Sequence, residues 1–205
     1  MQFALSLVLL QLVAAATPPP PPPPPLPQLP LPEIGLPLRD IRPAELRSQF
    51  NDKRRGHIHH AIDLMRPRST PILAVTDGTI RKLYRSKSGG ISIYLFDGAE
   101  EYCFFYGHLD HYAKGLSEGQ EVHRGDVIGY VGYTGNAKRS APHLHFAVSR
   151  TGPERKWSGG APIDPLPILR ASTRAPGKGG VGEADDTGVA IADEQETTPP
   201  VNPRN

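Results

Sequence analysis

Residues Pro18 to Pro25 form an unbroken proline run, and Leu26-Pro27-Gln28-Leu29-Pro30 extends it. Proline has a fixed φ and no amide hydrogen, so such a stretch follows an extended polyproline II path and packs no core. Residues 17–43 therefore read as a stiff spacer; the alternative use of such a segment is as a ligand for a proline-binding partner. At the other end, residues 171–205 are rich in Gly, Ala, Thr and Pro, with Glu183, Asp185, Asp186, Asp193, Glu194 and Glu196 close together. Large apolar side chains are scarce there, which is the composition of a disordered acidic tail. That leaves residues 44–170 as the segment able to fold.

Ahead of the prolines, residues 1–16 are apolar and close on Ala14-Ala15-Ala16, a small-residue site of the signal-peptidase type. The run is short for a membrane span, and no Lys or Arg precedes it. The expectation is export, to the periplasm or cell envelope, with residues 1–16 a signal peptide or an N-terminal anchor that tethers the chain to the membrane. No cysteine follows the run to carry a lipid.

Within 44–170 the pattern is one of short strands split by Gly and Asp. Pro71 to Val75 ends at Asp77-Gly78, and Thr79-Ile80 opens the next strand. Ile91 to Phe96 ends at Asp97-Gly98, and Tyr102 to Tyr106 follows. Val127 to Gly132 comes after Arg124-Gly125-Asp126, and Leu144 to Val148 closes the series. This spacing predicts an all-β fold, an antiparallel sandwich or open barrel. Short helical turns are expected at Pro43–Phe50, where Pro43 suits a first turn, and within Leu109–Leu116. Cys103, flanked by Tyr102 and Phe104, reads as a buried strand thiol and has no partner for an intrachain disulfide. A net charge of +2, with acids and bases interspersed, gives no case for nucleic acid.

All eight histidines fall between residues 57 and 145. Imidazole enrichment without a cysteine pair suggests a zinc site of the catalytic rather than the structural kind, built from His and a carboxylate with a position left for water. Two patterns stand out. In His143-Leu144-His145 the imidazoles share one strand face, while Phe146 and Val148 face a core. In His59-His60-Ala61-Ile62-Asp63, His59 and Asp63 would lie about 13 Å apart on a straight strand, so both reach one ion only if the chain turns between them. Spacing alone leaves open which member of His143-Leu144-His145 meets a metal.

His59-x-x-x-Asp63, Tyr106-Gly107-His108-Leu109 and His143-Leu144-His145, in that order, resemble the M23, or LytM/lysostaphin-like, family of zinc metallopeptidases. Further pieces agree: Thr70-Pro71-Ile72-Leu73-Ala74 with Asp77-Gly78, Gly119-Gln120-Glu121-Val122, Arg124 to Gly129, Gly132 to Asn136, and Ala161-Pro162-Ile163-Asp164-Pro165. The resemblance covers about residues 50–168. It implies Zn2+ held by His59, Asp63 and His145, with His108 and His143 as catalytic histidines that do not bind the metal. It also implies hydrolysis of bacterial peptidoglycan stem peptides or cross-links by a metal-activated water. Within it His143 is the expected base, and His108 the expected donor to the developing oxyanion. Ala61, Ser69, Thr70 and Ala147 depart from the family pattern at turn and substrate-contact positions without removing a reacting group.

The remaining histidines read as flanking or surface groups: His57 and His60 beside the site, His111 and His123 on a loop and a hairpin. Asp110 reads as solvated, and Tyr84, Tyr133 and Trp157 as packing residues or groove walls. Two other functions compete. A non-catalytic LytM-like domain that activates another wall hydrolase would lack some of the five key residues. A lipoyl-type carrier, suggested by Glu118 to Val122 and Gly125 to Ile128, would need a lysine at the modification turn and leaves the histidines without a role.

Overall fold

Turn signals in the middle of the chain become strand boundaries. The computed structural model describes residues 32–54 and 56–173. The expected signal segment, the polyproline run and nearly all of the acidic tail lie outside these residues. Eleven strands run in order: β1 (Lys53–Arg54), β2 (His57–Ile58), β3 (Ile62–Met65), β4 (Pro71–Leu73), β5 (Gly78–Ser86), β6 (Gly90–Asp97), β7 (Tyr102–Tyr112), β8 (Glu121–Val122), β9 (Val127–Val131), β10 (His143–Arg150) and β11 (Ala161–Ile163). One helix, α1 (Pro165–Ser172), follows.

β1 and β2 form a small hairpin. The other nine strands make one unclosed antiparallel sheet along β11-β10-β7-β6-β5-β8, with β3 added to β10 and β9 joining β4 to β7. The all-β antiparallel expectation holds. Two long strands organise it. β10 alternates as the sequence predicts: Leu144, Phe146 and Val148 are buried, while His143 and His145 face the opposite side. β7 pairs with β10 through Tyr102–Gly107, then with β9 through Leu109–Tyr112. The change of partner falls at His108, whose φ of 62° is left-handed, a conformation unusual for a side-chain-bearing residue.

Phe104, Tyr106 and Phe146 form the aromatic part of the core, with Tyr106 and Phe146 edge to face at 5.4 Å. The Tyr106 hydroxyl accepts the Val75 amide at 3.1 Å, so a buried phenol is satisfied. Cys103 is buried as expected, and burial pushes its thiol up to about 12.

Three expectations change. Only Pro43–Glu45 forms a helical turn, and the helix does not continue to Phe50. Leu46 is buried, and the carbonyls of Gln49, Phe50 and Asp52 are taken by the His59 ring, the His60 amide and the His59 amide. The helix stops because Leu46 turns to extended backbone, φ −78° and ψ 94°, which ends the helical hydrogen-bond ladder after one turn. Leu109–Tyr112 stays in β7, and the turn comes at Ala113–Leu116. Most consequentially, part of the segment read as spacer is core: Ile34, Leu38 and Ile41 are buried. Gly35 donates to the Val75 carbonyl, and Pro37 accepts from Leu73. α1 was not expected; its signals are Asp164, which caps the Leu166 amide at 2.9 Å, and Pro165 in the first turn.

Candidate metal centre

The site begins with strand register. On β10, His145 lies opposite Asp63 of β3 on one edge and Gly107 of β7 on the other. Opposed residues of an antiparallel pair carry their side chains on one face about 5 Å apart, so Asp63 and His145 are neighbours by construction. Gly107 keeps the other flank open: a Cβ there would come within 2.8 Å of the Phe105 ring.

His59 arrives from outside the sheet. β2 ends at Ile58, His60 adopts a φ of 51°, and Ala61 is buried beneath the turn. This is the turn that the His59–Asp63 spacing required. It brings His59 Nε2 to 3.1 Å from Asp63 Oδ1 and 3.1 Å from His145 Nδ1, with Asp63 Oδ1 and His145 Nδ1 3.0 Å apart. Bonds of about 2.0–2.1 Å to one tetrahedral ion set donors about 3.3 Å apart. Two imidazole nitrogens and one carboxylate oxygen are thus spaced to hold a small divalent ion.

The donors are fixed from behind. The His59 Nδ1–H donates to the Gln49 carbonyl at 3.1 Å. A carbonyl only accepts and lies closer to Nδ1 than Arg54 Nη2, a pure donor at 3.3 Å that is already spent on Asp63, so the shorter contact favours the tautomer whose Nε2 lone pair faces the other donors. The Gln49 carboxamide pairs with both backbone groups of Asp63, each at 3.2 Å. Arg54 Nη2 donates to Asp63 Oδ2 at 3.0 Å, leaving Oδ1 to the donor cluster. Burial alone would raise the Asp63 carboxyl, but the adjoining imidazoles of His145 and His59 outweigh it and hold the group well below the usual carboxylate range. Burial lowers the pKa of His145 despite the pull of Asp63.

The two members of His143-Leu144-His145 now separate. His143 Nδ1–H donates to the Ala141 carbonyl at 2.9 Å, and its Nε2 stands 3.8 Å from Asp63 Oδ1. His108 Nδ1–H likewise donates to the Thr134 carbonyl at 2.8 Å. Each therefore presents Nε2 towards its neighbours, and the two rings lie 4.8 Å apart. Burial drives the His108 pKa down to about 4, so near neutral pH its Nε2 is a lone pair. The donor role expected for His108 consequently requires that it first gain a proton. A cleft of about 650 Å3 contains all five groups and is also lined by Arg54, Phe105 and Lys138.

Other residues singled out in the sequence lie as follows. His57 is on the cleft rim, and His60 packs on Phe50. His111 stacks on Tyr130, and His123 is exposed. Asp110, expected to be solvated, accepts from Arg68 at 2.7 Å. Trp157 packs against Tyr84 and Tyr94, whereas Tyr133 lies under Arg68 and Arg139. Gln49 and Arg54 escaped sequence reading, because their partners are set by the turn at His60 and not by any local pattern.

The family model described as peptidase family M23 matches residues 57–165. The chain is 32% identical over 136 residues to an L-Ala–D-Glu endopeptidase of Bacillus subtilis (strain 168), over 62% of this chain and 40% of that protein. It is 30% identical over 118 residues to the glycyl-glycine endopeptidase ALE-1 of Staphylococcus capitis, over 57% of this chain and 30% of that one. It thus spans well under half the length of either relative. Among solved structures, the antimicrobial peptidase lysostaphin from Staphylococcus simulans aligns with a TM-score of 0.53 at 26% identity, covering 69% of this chain and 55% of that one.

Proposed function

The chain belongs to peptidase family M23, and on that premise we propose that it is a zinc-dependent endopeptidase cutting peptide bonds in peptidoglycan stem peptides or cross-links. The observation that carries the proposal is the convergence of His59 Nε2, Asp63 Oδ1 and His145 Nδ1 from two separate pieces of chain, beside two histidines with free-facing Nε2 atoms. Zinc bound by those donors would polarise a peptide carbonyl and lower the pKa of a water towards about 7.

The remaining chemistry belongs to the protein. His143 accepts the water's proton at Nε2, and its Nδ1–H···O=C bond to Ala141 steadies the imidazolium that results. With His108 and His143 4.8 Å apart, charge on one opposes charge on the other. One proton therefore passes through the pair at a time, on its way to the leaving amine. The full set of five residues argues against a non-catalytic activator. Action in the cell envelope is part of the same proposal, supported by the apolar run of residues 1–16.

The test is metal analysis of His145→Ala beside His143→Ala, with digestion of purified peptidoglycan with and without a chelator. His145→Ala should lose both zinc and turnover; His143→Ala should keep zinc and lose turnover by at least about a hundredfold. Equal zinc loss in the two variants refutes the division of roles.

A further inference from the structure

The charges lining the cleft are unbalanced. Arg54 and Lys138 are its cations, and Asp63 is its one carboxylate among the described residues. Arg54 is already engaged with Asp63 at 3.0 Å, so their charges offset. What remains is Lys138, together with any divalent ion on the donor cluster. Lys138 has no acidic partner among the described residues.

Its location ties that charge to the chemistry. Lys138 lies on the connection between β9 and β10, which is pinned at several points. The Asn136 amide donates to the Ser88 carbonyl at 3.0 Å, and Thr134 Oγ1 donates to the Leu109 carbonyl at 2.6 Å. The Lys138 carbonyl accepts the Ala141 amide at 2.9 Å, and the Ala141 carbonyl in turn holds the His143 ring. One turn therefore seats the expected base and carries Lys138, which lines the same cleft. The backbone carrying Lys138 is fixed relative to the reacting centre.

We propose that Lys138 is a specificity-determining residue that pairs with a free carboxylate of the substrate next to the scissile bond. The cleft then selects acidic stem peptides over uncharged ones, whether amidated stems or oligoglycine bridges. This rests on the peptidase reading above and narrows its substrate class. A carboxylate of the right placement meets an ammonium and a cationic ion in a partly enclosed cleft; a carboxamide there meets the same groups without the charge.

The experiment compares two cross-linked stem-peptide dimers, one with its carboxylates free and one with them converted to carboxamides, as substrates of the full zinc-loaded chain. The free-acid dimer should be cleaved with kcat/KM about five- to tenfold higher, and raising the salt concentration should shrink the ratio. Lys138→Gln should bring the ratio close to one, and Lys138→Glu should invert it, with zinc content and Tm as in the parent. Equal cleavage of the two dimers, or a ratio indifferent to Lys138→Glu, overturns the proposal, as does a preference for pentaglycine over the acidic dimer. If neither dimer is cleaved, the peptidase reading falls, and calorimetric binding of both to the metal-stripped chain decides the remainder. Tighter binding of the acid, lost in Lys138→Gln, sustains the carboxylate site; equal binding removes it too.

Discussion

Gln49 holds two of the three metal-facing donors without being one. Its carbonyl favours one His59 tautomer, and its carboxamide makes two bonds to the backbone of Asp63, much as a neighbouring strand would. Gln49→Leu keeps the carbonyl and removes only the carboxamide. Zinc affinity should fall by about tenfold or more, the size of effect that groups behind a metal ligand exert, as read by competition with a chromophoric chelator well below Tm. A side chain that merely stabilised the fold would lower Tm and leave that affinity alone. His108 gives a second residue-level prediction. Burial lowers its pKa from 6.5 to about 4 in the folded chain. Between those values the unfolded chain binds a proton that the folded one does not, so stability falls as pH drops through that window. Urea titrations of the metal-free chain at pH 7 and pH 5 should show a larger loss for the parent than for His108→Asn. An equal loss would mean that His108 titrates normally.

At the scale of strands, two glycines with similar surroundings on paper should behave differently. A Cβ at Gly107 meets the far edge of the Phe105 ring, which can swing aside. A Cβ at Gly132 falls 2.6 Å from Asp110 Cα and from the Leu109 carbonyl carbon, both backbone atoms. Gly107→Ala should cost about 1 kcal/mol, typical of mild overpacking. It should act mainly on the site, because Phe105 lies edge-on to His145. Gly132→Ala should cost clearly more and disturb His143, with which Gly132 forms a bridge; thermal unfolding of the two variants ranks them. Such contrasts explain what the sequence revealed. The alternation around His143-Leu144-His145 and the Gly/Asp punctuation are local, and they placed β10, β6 and β9 closely. The pairing of His145 with Asp63, the left-handed turn at His60 and the carboxamide of Gln49 arise from register and long-range closure, which carry no local signature. Only the set of motifs, read together, pointed to the five residues.

For the molecule as a whole, the decisive misreading was one of averaging. Proline dominates residues 17–43 so strongly that Ile34, Leu38 and Ile41 vanish into the composition, yet all three are core residues. Ser172 donates to the Ile34 carbonyl at 2.7 Å, and Arg170 donates to the Leu46 carbonyl at 3.1 Å, so α1 and this segment clasp each other. Burying an Ile or Leu side chain is worth about 1.5–3 kcal/mol. Three of them together approach the total stability of an ordinary domain, about 5–15 kcal/mol. A chain begun at residue 44 should therefore unfold at a much lower urea concentration than one begun at residue 32, or lose cooperative unfolding altogether. Leu38→Ala in the full chain should cost about 2–5 kcal/mol, as a fully buried leucine does. The effect should reach the site as well, because Leu46 leads directly into Gln49: the shortened chain should bind zinc more weakly even under conditions where it is still folded. Equal urea midpoints for the two chains would show that residues 32–43 lie on the domain without supporting it, and would return the boundary to residue 44.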